Sequence, residues 1–379
     1  MIRMFAVHVP DDVDGPLLKT LHSGYLTEGP RVREFEEKLS GITGAPTATV
    51  NSGTSAITLA LSALGNVIRD PVVISTPMTC AATNLPVLTK GMRLVWADID
   101  PKTGLIDPES VQKQLNRFGS KVAAVLVVDW GGAPASHEDF GVPIIEDAAH
   151  AIGATVDGYP VGSISDMTCF SFQAIKHMTT GDGGAVSSFN LRYLSRIKLL
   201  RWFGIDREAS VAGDSRIDVD IEVPGYKMHM NDLSATIGLS QIEKREAPTG
   251  GKCPSPLETT LMLHRENAEH YDLNLDERLK RVQIPKGCNS SWWLYTILLP
   301  KPGMQQDFRE HMRNSGVEVS QVHRRNDQYS VFKRACPEAR LPGVDEFSSR
   351  MMCLPVHWDL SVEDLEVVTN AANEFVRDL

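Results

Sequence analysis

The stretch CFSFQAIKHMTTGDGG at 169–184 sets a single lysine, Lys176, between an apolar run and a cluster of threonines and glycines. Most lysines stand in solvent and need no chemical account. One drawn partly out of water has a lowered pKa and can attack a carbonyl to form a Schiff base. Earlier, PIIEDAAHAIGA (143–154) puts two acids, Glu146 and Asp147, at the end of another apolar run, with His150 three residues after the second. An aspartate at the carboxyl end of a parallel strand can hold a proton on a heterocyclic nitrogen, and a histidine can pack on the same ring. Equally, the acids can cap a following helix while His150 fills a core gap.

VNSGTSA (50–56) opens a helical pattern with a Ser-Gly-Thr turn. First-turn N–H groups and hydroxyls at the positive end of a helix make a seat for phosphate. Taken alone, the same turn is an ordinary N-cap by Ser52 or Thr54. An amine, an acid and a phosphate seat are together the parts a pyridoxal phosphate site needs. TTGDGG then reverses the chain, with Asp182-Gly183 read as a hairpin-like turn and Gly183 and Gly184 as points of close backbone approach.

These groups need a scaffold. From about residue 50 to 190, runs such as PVVIST, RLVWADID, VAAVLVVDW and VPIIEDAAH alternate with helical patterns. That pattern predicts an α/β fold with a mostly parallel sheet covered on both faces. In 52–65, Ile57, Ala60, Leu61 and Leu64 fall on one helical face, with Gly65 as the stop. The character changes after about residue 240: REAPTGGKCPSPLE (245–258) reads as a loop, SWWLYTILLP (291–300) as a strand, and 304–316 and 361–379 as helices. Two domains are expected, 1–245 and a smaller α+β unit at 246–379, with segment 1–20 packing on the latter.

The 379-residue chain is 42% hydrophobic and 23% charged with a formal net charge of −10. That balance argues against a nucleic-acid or anionic-membrane surface. The six cysteines (Cys80, Cys169, Cys253, Cys288, Cys336, Cys353) lie far apart, which argues against a disulfide framework or a metal site and for a reducing compartment. With no signal peptide or membrane span evident, a cytoplasmic protein is expected. No G-x-G-x-x-G follows an early strand, which disfavours a dinucleotide-dependent oxidoreductase.

The sequence resembles the DegT/DnrJ/EryC1/StrS family of pyridoxal-phosphate-dependent sugar aminotransferases, a fold-type I group built on a seven-stranded sheet. The resemblance runs nearly end to end through GYLTEGPRVREFEEKL (24–39), NSGTSA, WADIDPKTGLIDP (96–108), IEDAAHAIGA, VGSISD (161–166), the lysine stretch, GYKMHMNDLSATIGLSQIEK (225–244) and CLPVH (353–357). It implies that Lys176 is the Schiff-base lysine, that Asp147 pairs with the pyridine nitrogen, and that His150 lies near the ring. It assigns Gly53, Thr54, Ser55 and Ser171 to the phosphate. Asn231 is implied to reach the phosphate from a neighbouring subunit, hence a homodimer. The implied reaction moves an amino group from glutamate or glutamine to a keto sugar on a nucleotide, most often a 4-keto-6-deoxyhexose.

The chain departs from that pattern in places. Cys80 stands where relatives often carry an aromatic residue that stacks on the cofactor, and Trp130 is a candidate to compensate. His323, Arg324 and Arg325, in HRRND, are candidate substrate contacts, the arginines for a diphosphate. Some relatives are sugar dehydratases with histidine at the lysine position, so His177, adjacent to Lys176, bears on the register. The same residues would also suit an enzyme acting on a carbocycle, or a non-catalytic regulator that keeps the fold.

Overall fold

A computed structural model describes residues 1–65, 68–135, 137–206, 220–244, 252–336 and 338–377. Its strands are β1 (Thr47–Val50), β2 (Val72–Ser75), β3 (Arg93–Trp96), β4 (Val122–Val128), β5 (Ile144–Asp147), β6 (Thr155–Val156), β7 (Tyr159–Pro160), β8 (Met167–Ser171), β9 (Gly184–Ser187), β10 (Lys280–Arg281), β11 (Cys288–Asn289), β12 (Tyr295–Leu298) and β13 (Met351–Leu354). The helices in the first part are α1 (Asp14–Leu21), α2 (Pro30–Thr43), α3 (Gly53–Ala63), α4 (Ala81–Thr89), α5 (Pro108–Phe118), α6 (Leu191–Leu200) and α7 (Asp232–Ile242). Those that follow are α8 (Pro256–Asn274), α9 (Gln305–Asn314), α10 (Ser330–Ala335), α11 (Pro342–Arg350) and α12 (Val362–Arg377).

Seven strands form one sheet in the order β1-β9-β8-β5-β4-β2-β3. Neighbours from β8 to β3 are parallel, and β9 runs antiparallel to β1 and β8. Their Val- and Ile-rich sequences are buried on both faces, as a sheet covered on both sides requires. Register aligns Val128 with Asp147 and Asp147 with Cys169, so β4 and β5 end level and β8 runs two residues further, to Ser171. That row of carboxyl ends is where an open parallel sheet binds ligands.

Helix α3 lies against this sheet and is covered by α4 and α6. It is buried nearly all round, from Ser55 to Leu61 and at Ala63, so the single apolar face expected from its sequence is too narrow a reading. Ser52 caps it by accepting the Ser55 N–H at 3.1 Å. Gly65 follows at φ 83°, the left-handed residue that stops the helix.

Strands β10, β12 and β13 make a second, antiparallel sheet, packed with α8, α9 and α12 around Tyr271, Tyr295, Phe308 and Val368. The expected strand at 291–300 is shorter: only 295–298 pair, and 290–294 form a turn. Within 245–258, residues 245–251 lie outside the described residues; the rest leads into α8 through a capping box between Ser255 and Glu258. The chain start is fastened to the later residues: Ile2 bridges Val317, the Met4 N–H donates to Glu318 Oε2 at 3.2 Å, and His357 bonds the Arg3 carbonyl. Among the described residues no helix is long and apolar enough to cross a membrane.

Candidate active site

The carboxyl ends of β1, β2, β4, β5 and β8 open into a cavity of about 390 Å³, bordered by Thr54, Cys80, Asp147, His150, Lys176 and His323 among others. That volume suits a small-molecule ligand, which typically occupies roughly 300–1,000 Å³.

The two acids at the end of β5 separate because successive strand residues point to opposite faces. Glu146 turns away from the cavity and bonds His137 Nε2 and Thr168 Oγ1, each at 2.7 Å. Asp147 faces the cavity, accepting the Thr83 hydroxyl at 2.6 Å on one oxygen and the Ala149 N–H at 3.1 Å on the other. Burial raises the pKa of Asp147, and the Thr83 and Ala149 hydrogen bonds and the nearby Lys176 oppose that rise. No helix follows directly, so the acids are not caps.

Lys176 sits in a loop closed on itself, with the Phe172 N–H donating to Gly183 O and the Thr180 N–H to Phe172 O, each at 2.9 Å. The reversal is broader than the two-residue turn expected at Asp182-Gly183, and its left-handed residue is Gly181 at φ 81°. Gly184 meets backbone rather than ligand: an added Cβ would lie 2.6 Å from the Ser52 carbonyl. Burial lowers the Lys176 amine to about 7, with Asp147 and Cys80 pulling the other way. Its Nζ lies 3.5 Å from the centre of the Trp293 ring.

His150 is buried and stacks on Trp293 with ring centres 3.8 Å apart. Its Nδ1 has no hydrogen-bond partner among the described residues. Burial first, then the charge of Lys176, holds its pKa well below the usual histidine range, so the ring is neutral at pH 7. The turn into α3 brings Ser52, Gly53 and Thr54 to the wall beside Ser171. Helix geometry gives the N–H groups of Gly53 and Thr54 no carbonyl to bond. A Cβ on Gly53 would come within 2.9 Å of the Ser171 Cβ. Ser55 is not on this wall; its hydroxyl donates to Asn51 Oδ1 at 2.7 Å.

The other expected residues divide. Cys80 and His323 border the cavity. Trp130 does not: it is 1% exposed, its Nε1–H donates to Thr296 Oγ1, and its ring packs edge-on against Phe347. It belongs to the core and cannot replace the missing aromatic face. His177 also turns away, buried and bonded to the Ser291 carbonyl at 2.9 Å. Arg324 and Arg325 border a neighbouring cavity of about 410 Å³ that shares Ser320, Val322 and His323 with the first. Arg325 there is held by Asp327 and Asp345. Asn231 is exposed at the start of α7, where its Oδ1 accepts the Ser234 N–H.

Sequence reasoning missed Thr83, Trp293 and Phe5. Thr83 sits four residues after Thr79, a spacing that stacks two hydroxyls across a helix start. Trp293 was hidden by the strand reading, although Ser-Ser-Trp-Trp is a poor central strand.

The profile of the DegT/DnrJ/EryC1/StrS aminotransferase family matches residues 12–373. A UDP-4-amino-4,6-dideoxy-N-acetyl-beta-L-altrosamine transaminase of Campylobacter jejuni is 32% identical over 369 residues, covering 94% of this chain and 92% of the relative. The crystal structure of AtS13 from Actinomadura melliaura superimposes with a TM-score of 0.88 at 34% identity, covering 99% of this chain and 98% of that one. The sugar aminotransferase CalS13 from Micromonospora echinospora gives 0.88 at 30% identity, covering 99% and 100%. The expected fold is the observed one, and the chain belongs to the DegT/DnrJ/EryC1/StrS aminotransferase family.

Proposed function

We propose that this aminotransferase moves an amino group from L-glutamate or L-glutamine to the ketone of a nucleotide-linked sugar, a 4-keto-6-deoxyhexose, using pyridoxal phosphate. The carrying observation is that Lys176, with its amine near 7, and Asp147 border the same cavity. The residues present fit the cofactor: a buried carboxylate, an unpartnered buried His150 Nδ1 and a Ser-Gly-Thr helix start surround one space. The Campylobacter relative, named as a UDP-sugar transaminase, supports the substrate class.

When bound, the cofactor supplies an aldehyde carbon and a ring that accepts electrons. Asp147 keeps a proton on the ring nitrogen, and Thr83 with the Ala149 N–H fixes its carboxylate orientation. His150 offers Nδ1 to the ring hydroxyl. Gly53, Thr54 and Ser171 bind the phosphate at the positive end of α3. Lys176, sufficiently neutral at pH 7, binds the aldehyde carbon and, once released, takes up and returns one proton at Nζ. Phe5, Ile57, Val128 and Trp293 make the apolar wall that limits water.

Asn231, exposed at the start of α7, serves the phosphate of a second copy in a homodimer. Arg324 faces the sugar's diphosphate, and His323 borders the sugar. The division at about residue 245 and a cytoplasmic location complete the reading. His177 points away from the cavity, which disfavours a dehydratase. Purification with pyridoxal phosphate and an absorption spectrum before and after glutamate test the proposal. The expected result is a visible band that glutamate removes and that Lys176→Ala never shows; a band unmoved by any amino donor refutes it.

A further inference from the structure

The turn at 290–294 is fastened at every residue. The Ser291 N–H donates to Gly132 O, and its Oγ–H donates to His150 O at 2.7 Å. Ser290 O accepts from Arg265, Trp292 O bonds His264 Nδ1, and the Leu294 N–H donates to Gly131 O. Within it Trp292 takes φ 54°, a left-handed conformation rare for a bulky side chain. Strain of this kind persists only where surrounding contacts over-determine it, and it gathers at functional sites. Its result is the placement of the next residue. Trp293 enters the cavity, donates Nε1–H to the Ile175 carbonyl at 2.9 Å, stacks on His150, and receives Lys176 Nζ 3.5 Å from its ring centre.

We infer that Trp293 is a positioning residue whose indole face is the resting place of the Lys176 amine whenever that amine is free. The inference rests on Lys176 being the Schiff-base lysine. A free ammonium in a poorly solvated cavity is drawn to a carboxylate. Of the two that border the cavity, Asp182 is exposed, and Asp147, the one that bears on Nζ, is needed by the reaction at the ring nitrogen. An aromatic face attracts the cation more weakly and accepts no proton, so it holds the amine without trapping it. The bond from Nε1 to Ile175 fixes the backbone immediately before the lysine, which limits the arc Nζ can sweep.

Groups that bear electrostatically on Nζ come from several elements. Asp147 and Cys80 favour its charged form, while His150, His177 and His323 are kept neutral by burial, His323 at about 4. A cation over an indole alters its fluorescence. In cofactor-free protein, tryptophan emission therefore changes across neutral pH with a midpoint near 7, and both Trp293→Phe and Lys176→Met abolish the change. In cofactor-loaded protein, Trp293→Leu keeps the visible band, slows its loss on mixing with glutamate roughly tenfold, and leaves the donor KM within about twofold. Trp293→Phe, which keeps a ring face, slows it less.

Emission that ignores pH, or a Trp293→Leu rate within about twofold of the parent, overturns the inference. Loss of the band in both Trp293 variants also overturns it, making Trp293 part of the cofactor seat. A parent protein without the band, or Lys176→Met with it, refutes the underlying role of Lys176 instead.

Discussion

The Thr83 hydroxyl donates to Asp147 Oδ2 at 2.6 Å and lies 2.8 Å from the hydroxyl of Thr79. Because Thr83 spends its proton on the carboxylate, Thr79 must donate to Thr83, and the three groups form a directed chain. A hydrogen bond to a charged group contributes about 1.5–3 kcal/mol. Thr83→Val keeps the shape and removes the donor, so the cofactor dissociation constant is expected to rise at least about tenfold. Thr83→Ser is expected to restore most of it. Titration of the visible band checks both.

Capture of the cofactor aldehyde needs a neutral amine. With Lys176 at about 7, the capture rate by cofactor-free protein rises with pH up to about 7 and levels off above it. A rate still climbing toward the ordinary lysine value near 10.4 contradicts this. The stability effect has a definite sign. The folded value lies below the unfolded one, so between about 7 and 10.4 the unfolded chain binds more protons and Lys176 makes folding more favourable as pH rises. The melting temperature of the parent should therefore climb relative to that of Lys176→Met across that window, the gap between them narrowing as pH rises.

Gly184 begins β9 where the chain presses against the turn into α3. An added methyl would lie 2.6 Å from the Ser52 carbonyl carbon and oxygen and 2.7 Å from Phe170 O, all backbone. Backbone cannot rotate aside, so Gly184→Ala is expected to cost about 3 kcal/mol, the upper part of the overpacking range. Because the displaced residue is the α3 cap, cofactor affinity should fall together with the melting temperature. A stable Gly184→Ala protein with parental affinity would contradict this.

Arg324 and Arg325 should differ when replaced. Arg325 bonds both oxygens of Asp327 at 2.8 and 2.7 Å and Asp345 at 2.5 Å. Arg324 lies over the Tyr329 ring and bonds Gln328. Arg325→Ala is therefore expected to lower the melting temperature, whereas Arg324→Ala should raise KM for the nucleotide sugar severalfold with little change in melting. Steady-state kinetics and thermal denaturation separate the two outcomes.

The sheet was legible in the sequence because its central strands are short runs rich in Val and Ile spaced by helices. Lys176, Asp147 and the Ser52 cap were legible because each follows such a strand. What escaped was set by turns. Gly131 and Gly132, at φ 65° and 97°, carry the chain beyond β4 so that Trp130 packs toward Thr296 and Phe347. Trp293 was unreadable for the opposite reason, since its place depends on a left-handed Trp292 fastened by bonds from residues as distant as Gly131. Pattern along a chain carries no such long-range information.

Phe5 forms part of the cavity wall beside Ser320, Val322 and His323, and the strand-like bridge from Ile2 to Val317 secures it. A ribosome delivers these partners more than three hundred residues apart. The leading end must therefore wait, unclosed, while the whole sheet assembles behind it. Any pyridoxal phosphate met by the chain before Val322 and His323 are in place finds a compartment lacking one side.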